Sequence, residues 1–216
     1  MKYFTSKNKR IRNLKGFTFL ELIVTLAMFG ILSTILFIGY PKTNNILIFD
    51  KASYEIASIY KSAQVLGASR GGTARGDGVY TDITSNQNHI IEFLDNTDPN
   101  LPKDKGIPQS NRYYTSIFDT RVKDNYLTKN IFIESISLVN SANVRTDGLT
   151  RLSVVYVRPE QVAHITTGLG TPTFRTEYDK ALVQIRSRTL TKLNVKCLII
   201  YKLGQISLED GECSLY

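Results

Sequence analysis

Residues 17–40, FTFLELIVTLAMFGILSTILFIGY, form an apolar stretch of 24 residues interrupted by a single charge, Glu21. A helix that crosses a bilayer needs roughly 20 mostly apolar residues, so this stretch is long enough to span one. Before it, Lys2, Lys7, Lys9, Arg10, Arg12 and Lys15 supply six positive charges, and no acidic residue precedes Glu21. Such one-sided basicity holds the N-terminal side of a span in the cytoplasm and sends the remaining chain outside. A secretory signal peptide has a shorter apolar core, about 7–15 residues, followed by its small-residue cleavage site. Here the small residue, Gly16, stands before the apolar run. A cut at Gly16 would remove the charges and keep the helix.

That leader also explains the charge of the whole chain. The formal net charge is +8, but without the six leader charges 21 basic residues face 19 acidic ones. The basicity is therefore mainly a topology signal and not a footprint for nucleic acid. With 42% hydrophobic and 21% charged residues, the 216-residue chain can bury one ordinary core beside its appendage.

Gly39-Tyr40-Pro41 is expected to bend or break the helix, because Pro41 lacks an amide donor and crowds the preceding turn. Beyond it, Phe49, Ala52, Ile56, Ile59, Ala63 and Leu66 recur at helical spacing, with Lys51, Tyr54, Lys61 and Gln64 opposite. The pattern predicts an amphipathic half over residues 41–70, stopped by Gly71-Gly72. From residue 76 onward short runs rich in branched and aromatic residues recur, at 79–84, 89–94, 113–118, 131–139, 152–158, 181–188 and 195–202. Turn signals separate them at 95–102, 104–108, 146–148 and 168–172. The final hairpin is the clearest, turning at Leu203-Gly204 into residues 205–208. It brings Cys197 within a few positions of Cys213, a pair that can close a disulfide if this part is exported, or remain two thiols. Neither Cys has a His or a second Cys at metal-ligand spacing, so no metal site is expected.

Residues 15–24 read K-G-F-T-F-L-E-L-I-V, which closely resembles the class III signal of type IV pilins and pseudopilins. The resemblance is tight over about residues 10–40. It implies removal of residues 1–16 after Gly16 by a prepilin peptidase, and N-methylation of the new terminus at Phe17. Glu21 would then pair with the N-terminal ammonium of a neighbouring subunit, offsetting its burial penalty and fixing axial register. Translocon scales put that penalty at roughly 2.5–3.5 kcal/mol for Asp, Lys or Arg at a helix centre. Taken alone, Glu21 could equally sit among headgroups at the interface. Phe19-Leu20 replaces the commoner Leu-Ile or Leu-Val, a change that preserves bulk. Weaker echoes, S-A-Q-V-L-G-A-S-R-G-G (62–72), G-V-Y (78–80), I-I-E-F-L-D (90–95), V-V-Y-V-R-P-E (154–160) and L-G-Q-I-S (203–207), are similar to H-type minor pseudopilins and minor pilins. The fold implied is α+β: a long N-terminal helix, with residues 17–40 as transmembrane and filament-core half, packed on an antiparallel β-head over residues 71–216. Expected partners are other pilin or pseudopilin subunits, the prepilin peptidase and methyltransferase, and an inner-membrane assembly platform. The chain is expected as a single-pass protein of the cytoplasmic membrane, then as part of a surface or periplasmic filament.

Other constellations are thinner. The glycines around Arg70 and Arg75 lack the Gly-Lys-Ser/Thr of a phosphate loop. His89 and His164 stand apart from any nucleophile, and Glu209-Asp210 reads as a solvated tail. No nucleophile, base and oxyanion site assembles, so neither catalysis nor a cofactor is expected. Arg186, Arg188, Lys192 and Lys196 lie close together with Tyr201 nearby; the patch, Arg186, Arg188 and Lys192 above all, could hold DNA phosphates, or form a solvated polar face. The competing reading is accordingly an anchored adhesin or DNA-binding pilus-tip subunit, with DNA or a surface receptor as partner. Mass spectrometry of the N-terminus in the membrane fraction decides the processing question: a methylated Phe17 is expected, and an intact Met1 or Lys2 as the sole terminus would contradict it.

Overall fold

Among the described residues of the computed structural model, one helix, α1 (Phe19–Ser69), accounts for every helical turn longer than three residues. The structure describes residues 17–69, 76–84, 89–95, 120–128, 130–157, 162–167, 178–190 and 195–216, with the backbone alone at 38–42 and 215. The leader, the expected strand at 113–118 and the expected turns at 104–108 and 168–172 lie outside those residues. The helical assignment runs unbroken through Gly39, Tyr40 and Pro41, so of the expected bend or break the break does not occur. A proline inside a helix removes one amide donor and crowds the carbonyl four residues earlier, at about 3 kcal/mol, which a helix of 51 residues can carry without ending. The chain divides within this helix into two compact units, one ending at Thr43 and one beginning at Asn44.

In the first unit, Phe19–Phe37 has a mean hydropathy of 2.2 and buries none of its residues. Its hydroxyl groups are satisfied within the helix. Thr25 donates to the Leu22 carbonyl (2.9 Å), Ser33 to Phe29 (2.7 Å) and Thr34 to Gly30 (2.8 Å). Apart from Glu21, no polar side chain on this surface therefore needs water, as a bilayer or a dry protein interface requires.

The second unit is built on the remaining half of α1. Phe49, Ala52, Ser53, Ile56, Tyr60, Ala63 and Gly67 form its buried stripe. Tyr60 and Gly67 take places that the sequence pattern gave to Ile59 and Leu66, which are only half-buried. The reason is polar chemistry. The Tyr60 hydroxyl meets Thr81 Oγ1 at 2.9 Å beneath the helix, and burial raises its pKa to about 12. Gly67 sits where a Cβ would fall 2.6 Å from the Tyr156 carbonyl oxygen, so helix and sheet touch backbone to backbone.

Two five-stranded antiparallel sheets supply the partner surface. The first orders β3 (Thr120–Tyr126), β2 (His89–Asp95), β1 (Gly76–Asp82), β6 (Arg151–Val157) and β7 (Ala163–Thr166). The second orders β10 (Ile206–Asp210), β9 (Val195–Tyr201), β8 (Lys180–Ser187), β4 (Ile131–Val139) and β5 (Arg145–Leu149). They are stitched where the Ala163 amide donates to the Lys202 carbonyl at 2.7 Å. A single core joins the α1 stripe to both, with Val79, Ile90, Leu152 and Val154 from one sheet and Ile133, Ile136, Val183 and Leu198 from the other. The turn expected at 146–148 is strand instead: β5 spans it, pairing Thr146 with Leu138 and Arg145 with Val139.

Along β9, Leu198 and Ile200 face the core, whereas Cys197 and Ile199 face outward yet are equally buried. What covers the outer face is the chain end. Cys213 is bonded to Cys197 with their Cα atoms 5.0 Å apart, its amide donates to Gln184 Oε1 (3.2 Å), and its carbonyl accepts from Arg145 Nη1 (2.6 Å). At the other side of β9, Lys196 reaches Asp50 of α1 (3.0 Å) and Asp210 (2.8 Å). Burial there lowers the ammonium pKa, but the two carboxylates outweigh it and the net shift is upward.

Two thermal-unfolding measurements on the detergent-solubilised chain test this packing. Reducing the bridge, which closes a loop with a sequence separation of 16, removes about 3 kcal/mol of loop-closure stabilisation. That corresponds to a fall in Tm on the order of 10 °C. Gly67→Ala gains about 1 kcal/mol of helix propensity. It loses about 1–3 kcal/mol to overpacking against an immobile backbone, so Tm should fall. A rise would show that helix and sheet can separate at no cost.

Candidate functional site

The start of α1 is where sequence and structure converge. Phe17 precedes the helix and is 79% exposed. Thr18 is the last non-helical residue, and its Oγ1 accepts a hydrogen bond from the Glu21 amide at 3.3 Å. A helix begins with amides that have no carbonyl partner, and a threonine oxygen at this position satisfies one. The sequence T-F-L-E (18–21) has the spacing of a capping box, in which the glutamate reaches back to the capping residue's amide. Glu21 also lies in the first turn, where a negative charge is favoured by the helix dipole. Its carboxylate therefore has two local reasons to be at this end of the helix, in addition to any partner on another chain. Thr18 was not singled out from sequence, although the T-x-x-E spacing was there to read.

From this end the surface is apolar for the whole span. Phe19, Leu20, Phe29, Leu36 and Phe37 each expose at least 70% of their area. An apolar surface this continuous marks a site of burial against lipid or another protein.

The remaining candidate residues fall elsewhere. Gly16 and Lys192 lie outside the described residues. Gly39 and Pro41 are inside α1, and Cys197 and Cys213 form the bridge described above. Arg186 is engaged by carboxylates: its Nε donates to Glu134 Oε2 at 2.6 Å, and Nη2 lies 3.9 Å from Glu212. Arg188 is exposed and stacks over the Phe132 ring at 4.9 Å. His89 meets Asp124 at 3.2 Å and stacks on Tyr126, with ring centroids 4.8 Å apart. His164 lies in β7 opposite Val155. Asp82 holds β1 to β6 through Arg151 Nε (3.0 Å). Burial pushes its pKa up, but hydrogen bonds from Thr84 and Tyr80, with the Arg151 charge, hold it below the usual carboxylate range. Among the described residues no three His, Cys, Asp or Glu side chains are grouped to hold a metal.

Residues 11–37 match the family model of the prokaryotic N-terminal methylation motif, which is characteristic of type IV pilin-like proteins. The chain has a type IV pilin-like N-terminus. The match covers the end of the leader, the Gly16-Phe17 junction, the Thr18 cap, Glu21 and the exposed span as one unit. The α+β arrangement, an apolar N-terminal helix followed by antiparallel sheets, agrees with a pilin-like fold. No curated protein and no solved structure matches the chain.

The cap at the start of this pilin-like helix can be tested alone. Thr18→Ala should speed hydrogen exchange of the Glu21 amide in micelles by about fivefold, the worth of a cap of about 1 kcal/mol. An unchanged rate would show that the hydroxyl does not hold that turn.

Proposed function

We propose that this chain is a structural subunit, a minor pilin or pseudopilin, of a type IV pilus or type II secretion-like filament. In this reading it is cut after Gly16 and N-methylated at Phe17. It waits in the cytoplasmic membrane as a single-pass protein and then joins the filament through α1. The observation that carries the reading is that the methylation motif takes in a span, Phe19–Phe37, whose residues are all exposed. Such a helix is stable in lipid while the subunit waits, and against other α1 helices once it is assembled.

Moving from one environment to the other requires a device for register, since apolar helices slide past one another with little penalty. Glu21 is the one formal charge between Phe17 and Pro41. Pairing it with the Phe17 ammonium of a neighbour would satisfy two buried charges at once and admit one axial offset. The head contributes no catalytic step to this account. Motion, adhesion, secretion or DNA uptake would be properties of the assembled filament.

The alternative, an anchored adhesin or a DNA-binding tip subunit, rested on Arg186, Arg188 and Lys192. The ion pair between Arg186 and Glu134 takes up one of those charges within the head. It reduces what the patch could offer to phosphates. Arg188 remains exposed, and that alternative now depends on it together with Lys192, which lies outside the described residues.

Replacing Glu21 by Val separates insertion from assembly. The variant should reach the membrane in normal amount and be largely missing from sheared filaments. Normal incorporation would show that the carboxylate does not set register.

A further inference from the structure

Two edges of the head carry opposite charge, and they belong to different sheets. β10 pairs with β9 on one side, and among the described residues no strand pairs with its other side. β3 likewise pairs, among the described residues, with β2 alone. An unpaired strand edge presents a row of amides and carbonyls that can template another strand. On β10 the charges are Glu209 and Asp210; on β3 they include Arg121 and Lys123. Asp210 is bound by Lys196 and Arg121 by Asp124, whereas Glu209 accepts from the Ser207 hydroxyl and has no counter-ion among the described residues. Lys123 stands across from Glu92 of β2, whose carboxylate accepts from Asn125, and forms no ion pair among the described residues.

The surroundings of the two edges also fit. Beside β10 an open groove of about 470 Å³ runs along α1, lined by Tyr54, Ala57, Ile206 and Leu208 among others. β3 carries an exposed aromatic, Tyr126, 68% exposed, and a half-exposed Val122. Like edges repel, Glu209 against Glu209 or Lys123 against Lys123, and only the unlike combination compensates charge. A contact between two different patches of one molecule does not close on itself as a twofold dimer does. Repeated, it yields a ring where the rotation closes and an open helical array where it does not.

We propose that β10 of one copy of this chain pairs with β3 of a neighbouring copy, with Glu209 opposite Lys123, so that the sheet of one head continues into the sheet of the next. An antiparallel register that sets Glu209 against Lys123 also sets Ser207 against Asn125 and Ile206 against Tyr126. The last is an aromatic and β-branched pair of the kind that stabilises sheets, and it brings Tyr126 to the groove beside α1. The inference rests on the filament reading for the presence of neighbours, but it concerns a different surface from the α1 span.

The test uses the full chain carrying both Ser207→Cys and Asn125→Cys, oxidised in cells and followed by non-reducing electrophoresis of membrane and filament fractions. The expected result is a ladder of linked copies in filaments, absent when either cysteine is omitted. Adding Glu209→Lys alone, or Lys123→Glu alone, should abolish the ladder, and combining the two should restore it. Filaments that contain the chain but yield no ladder would overturn the edge pairing and leave the filament reading intact. A ladder confined to the membrane, with no filament, would support the pairing and contradict the filament reading. Neither filament nor ladder would overturn both. A charge exchange that fails to restore the ladder would overturn the pairing of Glu209 with Lys123.

Discussion

The second half of α1 must bury one face on two sheets at once, and the architecture of the head follows from that requirement. Phe49, Ala52, Ile56, Tyr60 and Ala63 share a core with both sheets. A helix stripe of this kind gives stability through burial, at about 25 cal/mol for each square ångström of apolar area removed from water. It also demands close approach, which Gly67 provides by letting the helix backbone reach the Tyr156 carbonyl. The buried polar contact of Tyr60 with Thr81 adds specificity. An apolar residue at 60 would pack, but it would leave Thr81 without that partner.

The first half of α1 obeys the opposite rule. Its side chains are as apolar as those of the core, yet none is buried within the chain. Thr25, Ser33 and Thr34 return their hydroxyl groups to the helix, so the surface can lie against hydrocarbon or against other helices. One continuous helix thus meets two solvents, and the chain's only compact division falls inside it, between Thr43 and Asn44. The methylation motif, residues 11–37, extends over the whole of the bare span.

Much of this was legible in the sequence, for physical reasons that also explain what was not. The apolar span, the helical stripe from Phe49 and the inner strands are read from burial, because a buried face forces a period on the sequence. Strand β4 was placed at its observed bounds, and β1, β2, β6, β8, β9 and β10 within a few residues. The strands that escaped, β3, β5 and β7, are all edges. Edge strands have one free side and take polar residues, so T-R-V-K-D-N-Y shows no alternation, and R-T-D-G-L reads as a turn around Asp147-Gly148. Gly148 has a positive φ of 72°, the local signal that suggested a turn, and the ladder to β4 shifts register between Thr146 and Leu149, so the strand absorbs the turn residues as an irregularity. The Tyr60 and Gly67 substitution in the stripe escaped for another reason. Periodicity counts apolar side chains, whereas the helix chose a hydrogen-bonded tyrosine and a missing Cβ. Thr18 is legible only by its spacing from Glu21, because a cap acts through one local hydrogen bond and leaves no period in the sequence.

If α1 is the assembly element, its bare half must lie inside a filament and the head outside. Electron cryomicroscopy of filaments sheared from cells that express the chain reads this from the density. The expected result is residues 19–37 of α1 in the axial core, with Glu21 at ion-pair distance from the Phe17 nitrogen of an adjacent subunit. Filaments whose core excludes this helix, with the chain retained in the membrane as a separate protein, would contradict it.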